Sequence, residues 1–229
     1  MSDRPTASLP ARFAARIVAL FLITLVRLVT GAQARWTGTA PLPRQRLYYA
    51  NHSSHLDFLL LWALLPPRLR WKTRPVAGAD YWNKSAVRRY LIRHVFNGVL
   101  VARGGDNSVG PNGERLNDPL SPVLAAIAAG DSLIFFPEGT RNANEEMLPF
   151  KSGLFHIARQ CSQIELVPAR IENLNRVMPK GELLPLPLVC TINFGVPVAL
   201  QPDEPKDQFL VRARDAIIQM IPVQPPRSA

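Results

Sequence analysis

The stretch RLYYANHSSHLDFLLLWALLP, Arg46 to Pro66, decides the fold. RLYYAN has the aromatic and branched character of a strand, and SHLDFLLLWALLP is a longer apolar run, read as a helix that Pro66 and Pro67 stop. A buried strand running straight into a buried helix is the βα unit of an α/β sheet. Between the two halves lie His52, His55 and Asp57, polar residues at the strand-to-helix junction where such sheets place ligands.

The same rhythm continues outward. TRPVAG, NGVLVAR, SLIFF and IELVPARI read as strands, and NKSAVRRYLIRHV, PVLAAIAAG, SGLFHIARQC and PKDQFLVRARDAIIQMI as helices. Ser121 is the expected cap of the PVLAAIAAG helix and Gly130 its stop. LPLVCTINFGVPVAL reads as a hairpin, GGDNSVGPNGERLND as a loop, and GTAPLPRQ as a connector. The expected architecture is an α/β domain with a mixed, largely parallel sheet flanked by helices, over residues 41–229, preceded by a membrane-associating helix and connector over residues 1–40.

With 229 residues and 47% hydrophobic content, the chain suffices for one sizeable domain. The net charge of +10 points to an anionic partner. Lysines and arginines are scattered rather than interleaved with aromatics, and no nucleic-acid-binding pattern is present, so a membrane surface is preferred over nucleic acid. Cys161 and Cys190 have no metal-ligand spacing and read as buried thiols.

The segment RFAARIVALFLITLVRLVTGAQAR offers three readings, an ordinary core helix being one. Ala32-Gln33-Ala34 imitates a signal-cleavage site after an apolar run. On a helix, however, Arg12, Arg16 and Arg27 fall within about 60° of one another beside a broad apolar face, which suits an uncleaved helix at the bilayer interface. The run Ile17–Val26 is about half of the roughly 20 residues that span hydrocarbon. Removal of residues 1–35 is then expected to abolish docking and leave the downstream chemistry in place.

His52 and Asp57 are five apart, about 140° on a continuous helix, and cannot pair there. If Ser53 or Ser54 caps the helix, His52 precedes it and can fold back onto Asp57, leaving its other ring nitrogen to take a proton from a hydroxyl. His55 is at most supporting. FFPEGTRN, Phe135 to Asn142, bends after an apolar strand and presents backbone amides and Arg141 as a phosphate cradle. Arg103 is a second cation at a strand end. Gly130-Asp131-Ser132-Leu133 spells a hydrolase signature, but it serves as helix stop and turn, and no partner D-x-x-H follows it. Neither a G-x-S-x-G elbow nor a P-loop occurs.

Taken in order, NHSSHLD, GVLVAR, FPEGTR and LVPARI resemble the glycerolipid acyltransferase family, typified by lysophosphatidic acid acyltransferases, over residues 45–175. The resemblance implies that His52 is the general base and Asp57 its orienting partner. It implies that Arg103, Glu138, Gly139, Thr140 and Arg141 position a phosphate-bearing acceptor, and that Pro168 shapes the acyl side. Lys151 and Gly153 fit the family habit of a Lys and a Gly after the phosphate loop. Asn142 departs from it, since many members carry Ser there.

The implied reaction moves a fatty acyl group from acyl-CoA or acyl carrier protein to a lysophospholipid hydroxyl, most simply lysophosphatidic acid, at the cytoplasmic face of a membrane, with no metal or cofactor. Rival readings are acylation of another lysolipid, such as a lyso-aminolipid, and a non-catalytic basic module that binds membranes or nucleic acid.

Overall fold

The computed structural model describes residues 8–54, 56–102, 118–142, 146–174 and 189–220. Its centre is a seven-stranded sheet in the order β1-β7-β6-β2-β5-β3-β4, formed by β1 Gln33–Trp36, β2 Arg46–Ala50, β3 Thr73–Gly78, β4 Val99–Val101, β5 Ser132–Phe135, β6 Glu165–Glu172 and β7 Thr191–Phe194. Every neighbouring pair is parallel except β6 with β7. The mixed, largely parallel sheet expected from the sequence is therefore present. Central strand β2 is buried along its whole length, as a strand covered on both faces must be.

Helices cover both faces. On one side α1 Leu9–Thr30 and α2 Asp57–Leu64 pack with α3 Pro67–Arg70 and a π-helical turn, Leu91–Val95, which continues α5 Ala86–Tyr90 after the short α4 Ala79–Trp82. On the other side are α6 Ser121–Ala128, α7 Gly153–Gln160 and α8 Lys206–Ile218. The pleat sorts β2 between the layers, with Tyr48 and Ala50 in the first core and Leu47 and Tyr49 in the second.

α2 is locked at its C-terminal end by a buried cation. The Arg70 guanidinium donates to the carbonyls of Trp62, Ala63 and Leu65 at 2.7 to 3.0 Å, satisfying oxygens a helix end leaves open. In return, Trp62 Nε1–H reaches the carbonyls of Arg70 and Thr73.

Several expectations are corrected. Leu120, not Ser121, stands at the cap of α6, and the Asp118 carboxylate accepts the Leu120 N–H at 3.0 Å. Gly130 does stop that helix, at φ +83°. In place of a hairpin inside residues 186–200, β7 inserts between β6 and β1. Gln33 and Ala34, the supposed cleavage site, lie in β1 and pair with Thr191 and Ile192.

The boundary at residue 40 is not a structural seam either. β1 belongs to the same sheet, and Ala15, Ala19, Ile23 and Val26 of α1 are buried in the core that contains α2. Removing residues 1–35 would strip a strand and uncover α2, so it cannot separate docking from folding. Helix α1 is also longer than the apolar run suggested. Over an 18-residue window its mean hydropathy is 2.1, and its 22 residues are sufficient by length and composition to cross a membrane. Opposite its packed face, Leu9, Phe13, Ile17, Leu20, Phe21 and Leu28 are all exposed.

Candidate active site

His52 follows β2 directly and sits at the carboxyl end of the central strand. Asn51 fixes that end: its amide donates to the Ile171 carbonyl at 3.0 Å and its oxygen accepts the Ile171 N–H at 2.8 Å, so a side chain prolongs the β2–β6 ladder. The chain then turns and enters α2 at Asp57. Neither serine hydroxyl caps the helix; the Asp57 carboxylate draws the turn together. Its Oδ2 accepts the N–H of Ser53 at 2.7 Å, that of Ser54 at 2.8 Å, and His52 Nδ1–H at 2.8 Å.

Because Oδ2 already accepts from two amides, the hydrogen shared with the imidazole belongs to Nδ1, and Nε2 keeps its lone pair. Asp57 is fully buried and the His52 side chain is 15% exposed. The ring stacks on Phe136 at 4.2 Å between centroids, 21° from parallel. An imidazole held in this way has the geometry that a general base and its orienting carboxylate require.

The loop after β5 grips the same residue. Glu138 Oε1 accepts the His52 N–H at 2.8 Å, and Asn142 N–H donates to the His52 carbonyl at 2.8 Å. Glu138 Oε2 accepts the Leu148 N–H at 3.0 Å. Burial holds the Glu138 carboxyl above its ordinary range, while these two amides act against that shift. Gly139 adopts φ +69°, and a Cβ there would lie within 3.0 Å of the Lys151 side chain. Glycine takes this left-handed turn without strain and leaves room for Lys151 to lie across it.

A cleft of about 1530 Å³ opens over the carboxyl ends of β2, β3, β4 and β5, and His52, Gly139, Arg141, Lys151 and Gly153 all line it. Phe58, Val76, Trp82, Ile92 and Val123 supply an apolar part of the wall, beside the polar Asp118, Ser152 and His156. One cavity thus joins a base, two cations and an oily surface.

The remaining sequence candidates fall elsewhere. Thr140 is exposed and does not line the cleft. Glu138 is 2% exposed and occupied by backbone. Pro168 is buried in β6, pairs with Tyr49 and approaches Gly195, and it is not among the residues that line the cleft. Arg103 and His55 lie outside the described residues, although Val101 and Ala102, just before Arg103, line the cleft. Asn51 and Phe136 were missed as site residues. Their signal was position: one follows the strand just before His52, and the other opens the loop after β5. Cys190, near Asp57, is a neutral thiol, pushed up to about 11 first by burial and then by the Asp57 charge.

Comparison with known proteins agrees with this arrangement. A family model described as Acyltransferase matches residues 33–172. A 1-acyl-sn-glycerol-3-phosphate acyltransferase of Limnanthes alba is 37% identical over 188 residues, covering 80% of this chain and 59% of the relative. One from Chlamydomonas reinhardtii is 31% identical over 187 residues, with 80% and 50% covered. The chain therefore spans little more than half the length of these curated relatives. The crystal structure of the 1-acyl-sn-glycerophosphate acyltransferase PlsC from Thermotoga maritima shares the fold, with a TM-score of 0.63 at 20% identity over 89% of this chain and 78% of that one. With the matched segment running from β1 through β6 and containing the whole His52 site, the chain belongs to the acyltransferase family.

Proposed function

We propose that this chain transfers a fatty acyl group from an acyl thioester, acyl-CoA or acyl carrier protein, to the free hydroxyl of a lysophospholipid, and that its acceptor is lysophosphatidic acid, giving phosphatidic acid. The observation that carries the reading is the 2.8 Å His52–Asp57 pair at the floor of a cleft that also holds Arg141 and Lys151.

In this reading His52 Nε2 takes the acceptor hydroxyl proton as the oxygen attacks the thioester carbonyl carbon. Asp57 steadies the imidazolium. The tetrahedral intermediate collapses, the C–S bond breaks, and the imidazolium returns the proton to the departing sulfur. No acyl-enzyme forms and no metal or prosthetic group is required. Arg141 and Lys151, joined by Arg103 after β4, hold the phosphate, and Phe58, Trp82 and Ile92 face the acyl chain.

An assay of the purified protein with labelled acyl-CoA against a panel of lysolipids tests this. Preference for lysophosphatidic acid over lyso-aminolipids supports the acceptor assignment, and the reverse order overturns it. Arg141→Ala is expected to raise KM for a phosphate-bearing acceptor by roughly 10- to 100-fold, since a charge-assisted hydrogen bond contributes about 1.5 to 3 kcal/mol. Steady-state kinetics with phosphorylated and unphosphorylated acceptors should show the loss only for the former.

The outer face of α1, with Leu9, Phe13, Ile17 and Leu20 exposed and Arg12, Arg16 and Arg27 along one flank, fits an anionic bilayer surface at the cytoplasmic side. Each cation near such a surface contributes about 1 kcal/mol. Replacing the three arginines by glutamate should therefore lower partitioning onto anionic vesicles by at least about 100-fold, read by co-sedimentation, without altering turnover of a monomeric short-chain acceptor.

A further inference from the structure

We infer that Glu138 is a positioning residue for His52, fixing the backbone of the base from beneath instead of contacting the acceptor phosphate. Three contacts converge on one residue: Glu138 takes the His52 N–H, Asn142 N–H takes the His52 carbonyl, and Phe136 stacks on the His52 ring. All three come from the loop after β5, which also presents Arg141 to the cleft. That loop therefore sets the base and the phosphate cradle together.

Glu138 itself lies out of reach of a ligand in the cleft. Both oxygens accept backbone amides, on His52 at 2.8 Å and Leu148 at 3.0 Å, and the residue is 2% exposed and absent from the cleft wall. Its charge has the wrong sign for a phosphate and the right sign for a base that becomes a cation. The arrangement makes two anchors for His52, Asp57 on the ring and Glu138 on the main chain. Asp57 from α2 meets the imidazole itself and Glu138 from the β5 loop meets the main chain of the same residue, while Arg141, Lys151, Asp118 and His156 line the cleft that His52 enters.

Glu138→Gln tests the inference, because the amide keeps the shape but turns one of the two acceptors into a donor facing an N–H. A base displaced by even 1 Å loses on the order of 100-fold in rate. The expected result is a fall in kcat of that order with acceptor KM within about twofold of wild type, and no further loss when the change is added to His52→Ala. Ring nitrogen chemical shifts supply a readout that needs no substrate. His52 should report the Nδ1–H form in the wild type and a mixture of both tautomers in Glu138→Gln.

The kinetic arm rests on the acyl-transfer reading, and the spectroscopic arm does not. If the wild type acylates no lysolipid, that reading falls while the tautomer shift still decides the role of Glu138. A raised acceptor KM with kcat retained, or an unchanged tautomer signature, overturns the inference. If Glu138→Gln fails to fold, Glu138→Asp, which keeps the charge but is too short to reach both amides, is read by the same two measurements.

Discussion

His52→Ala is expected to lower acyl transfer by on the order of 1,000-fold or more, the range a positioned general base supplies, while the circular dichroism spectrum and melting temperature stay near those of the wild type. The ring is the part removed, and its packing debt is small: it stacks on Phe136 and keeps 15% of its side chain exposed. The backbone contacts to Glu138 and Asn142 survive the change. Asp57→Asn should approach the same loss and retain a trace. An asparagine oxygen can still accept the Nδ1–H, but it cannot offset the charge of the imidazolium. Its amide nitrogen would also occupy the place of Oδ1, a buried atom without a hydrogen-bond partner. Near-normal turnover in His52→Ala would remove the mechanism.

Trp62→Ala is expected to cost about 3 to 5 kcal/mol of stability, the range for truncating a fully buried aromatic residue, against total stabilities of about 5 to 15 kcal/mol. Trp62 is 1% exposed and packs edge-on against Phe96 and Trp71. Losing its indole also frees the carbonyls of Arg70 and Thr73 inside the fold. Because α2 carries Asp57 on its first turn, activity should fall with the folded fraction and not ahead of it. Urea unfolding followed by fluorescence, with turnover measured in parallel, distinguishes the two; a midpoint within about 0.5 kcal/mol of wild type would contradict the packing described.

Much of this was legible in residues 46–66, since the switch from an aromatic strand to a leucine-rich helix fixes a βα unit and places the His52–Asp57 pair at its junction. The pairing could be read only conditionally, because Ser53 and Ser54 looked like caps. The contact that closes the turn runs from their backbone amides to Asp57, and side-chain identity does not report backbone amides. β1 escaped notice for a related reason. Four residues, Gln33 to Trp36, carry too little alternation to announce a strand, and each pairs with a β7 residue 158 positions further along the chain, as Gln33 does with Thr191.

Within the phosphate loop, FPEGTR suggested one shared task for its polar residues. The fold divides them: Arg141 lines the cleft, whereas Glu138 is drawn inward by the amides of His52 and Leu148. Residue type alone cannot distinguish a carboxylate that faces substrate from one that faces backbone. Pro168 illustrates the same limit. Nothing in LVPARI reveals that Pro168 lies away from the cleft until the register with β2 sets it beside Tyr49.

The most direct test is a stoichiometric one. The purified wild type is incubated with an acyl thioester and lysophosphatidic acid, and free thiol and acylated lipid are quantified together by thiol titration and mass spectrometry. Direct transfer gives one phosphatidic acid for each thiol released, with no acyl mass remaining on the protein at any time. Thiol release without acylated lipid, or an acyl adduct on the chain that precedes product, would contradict it.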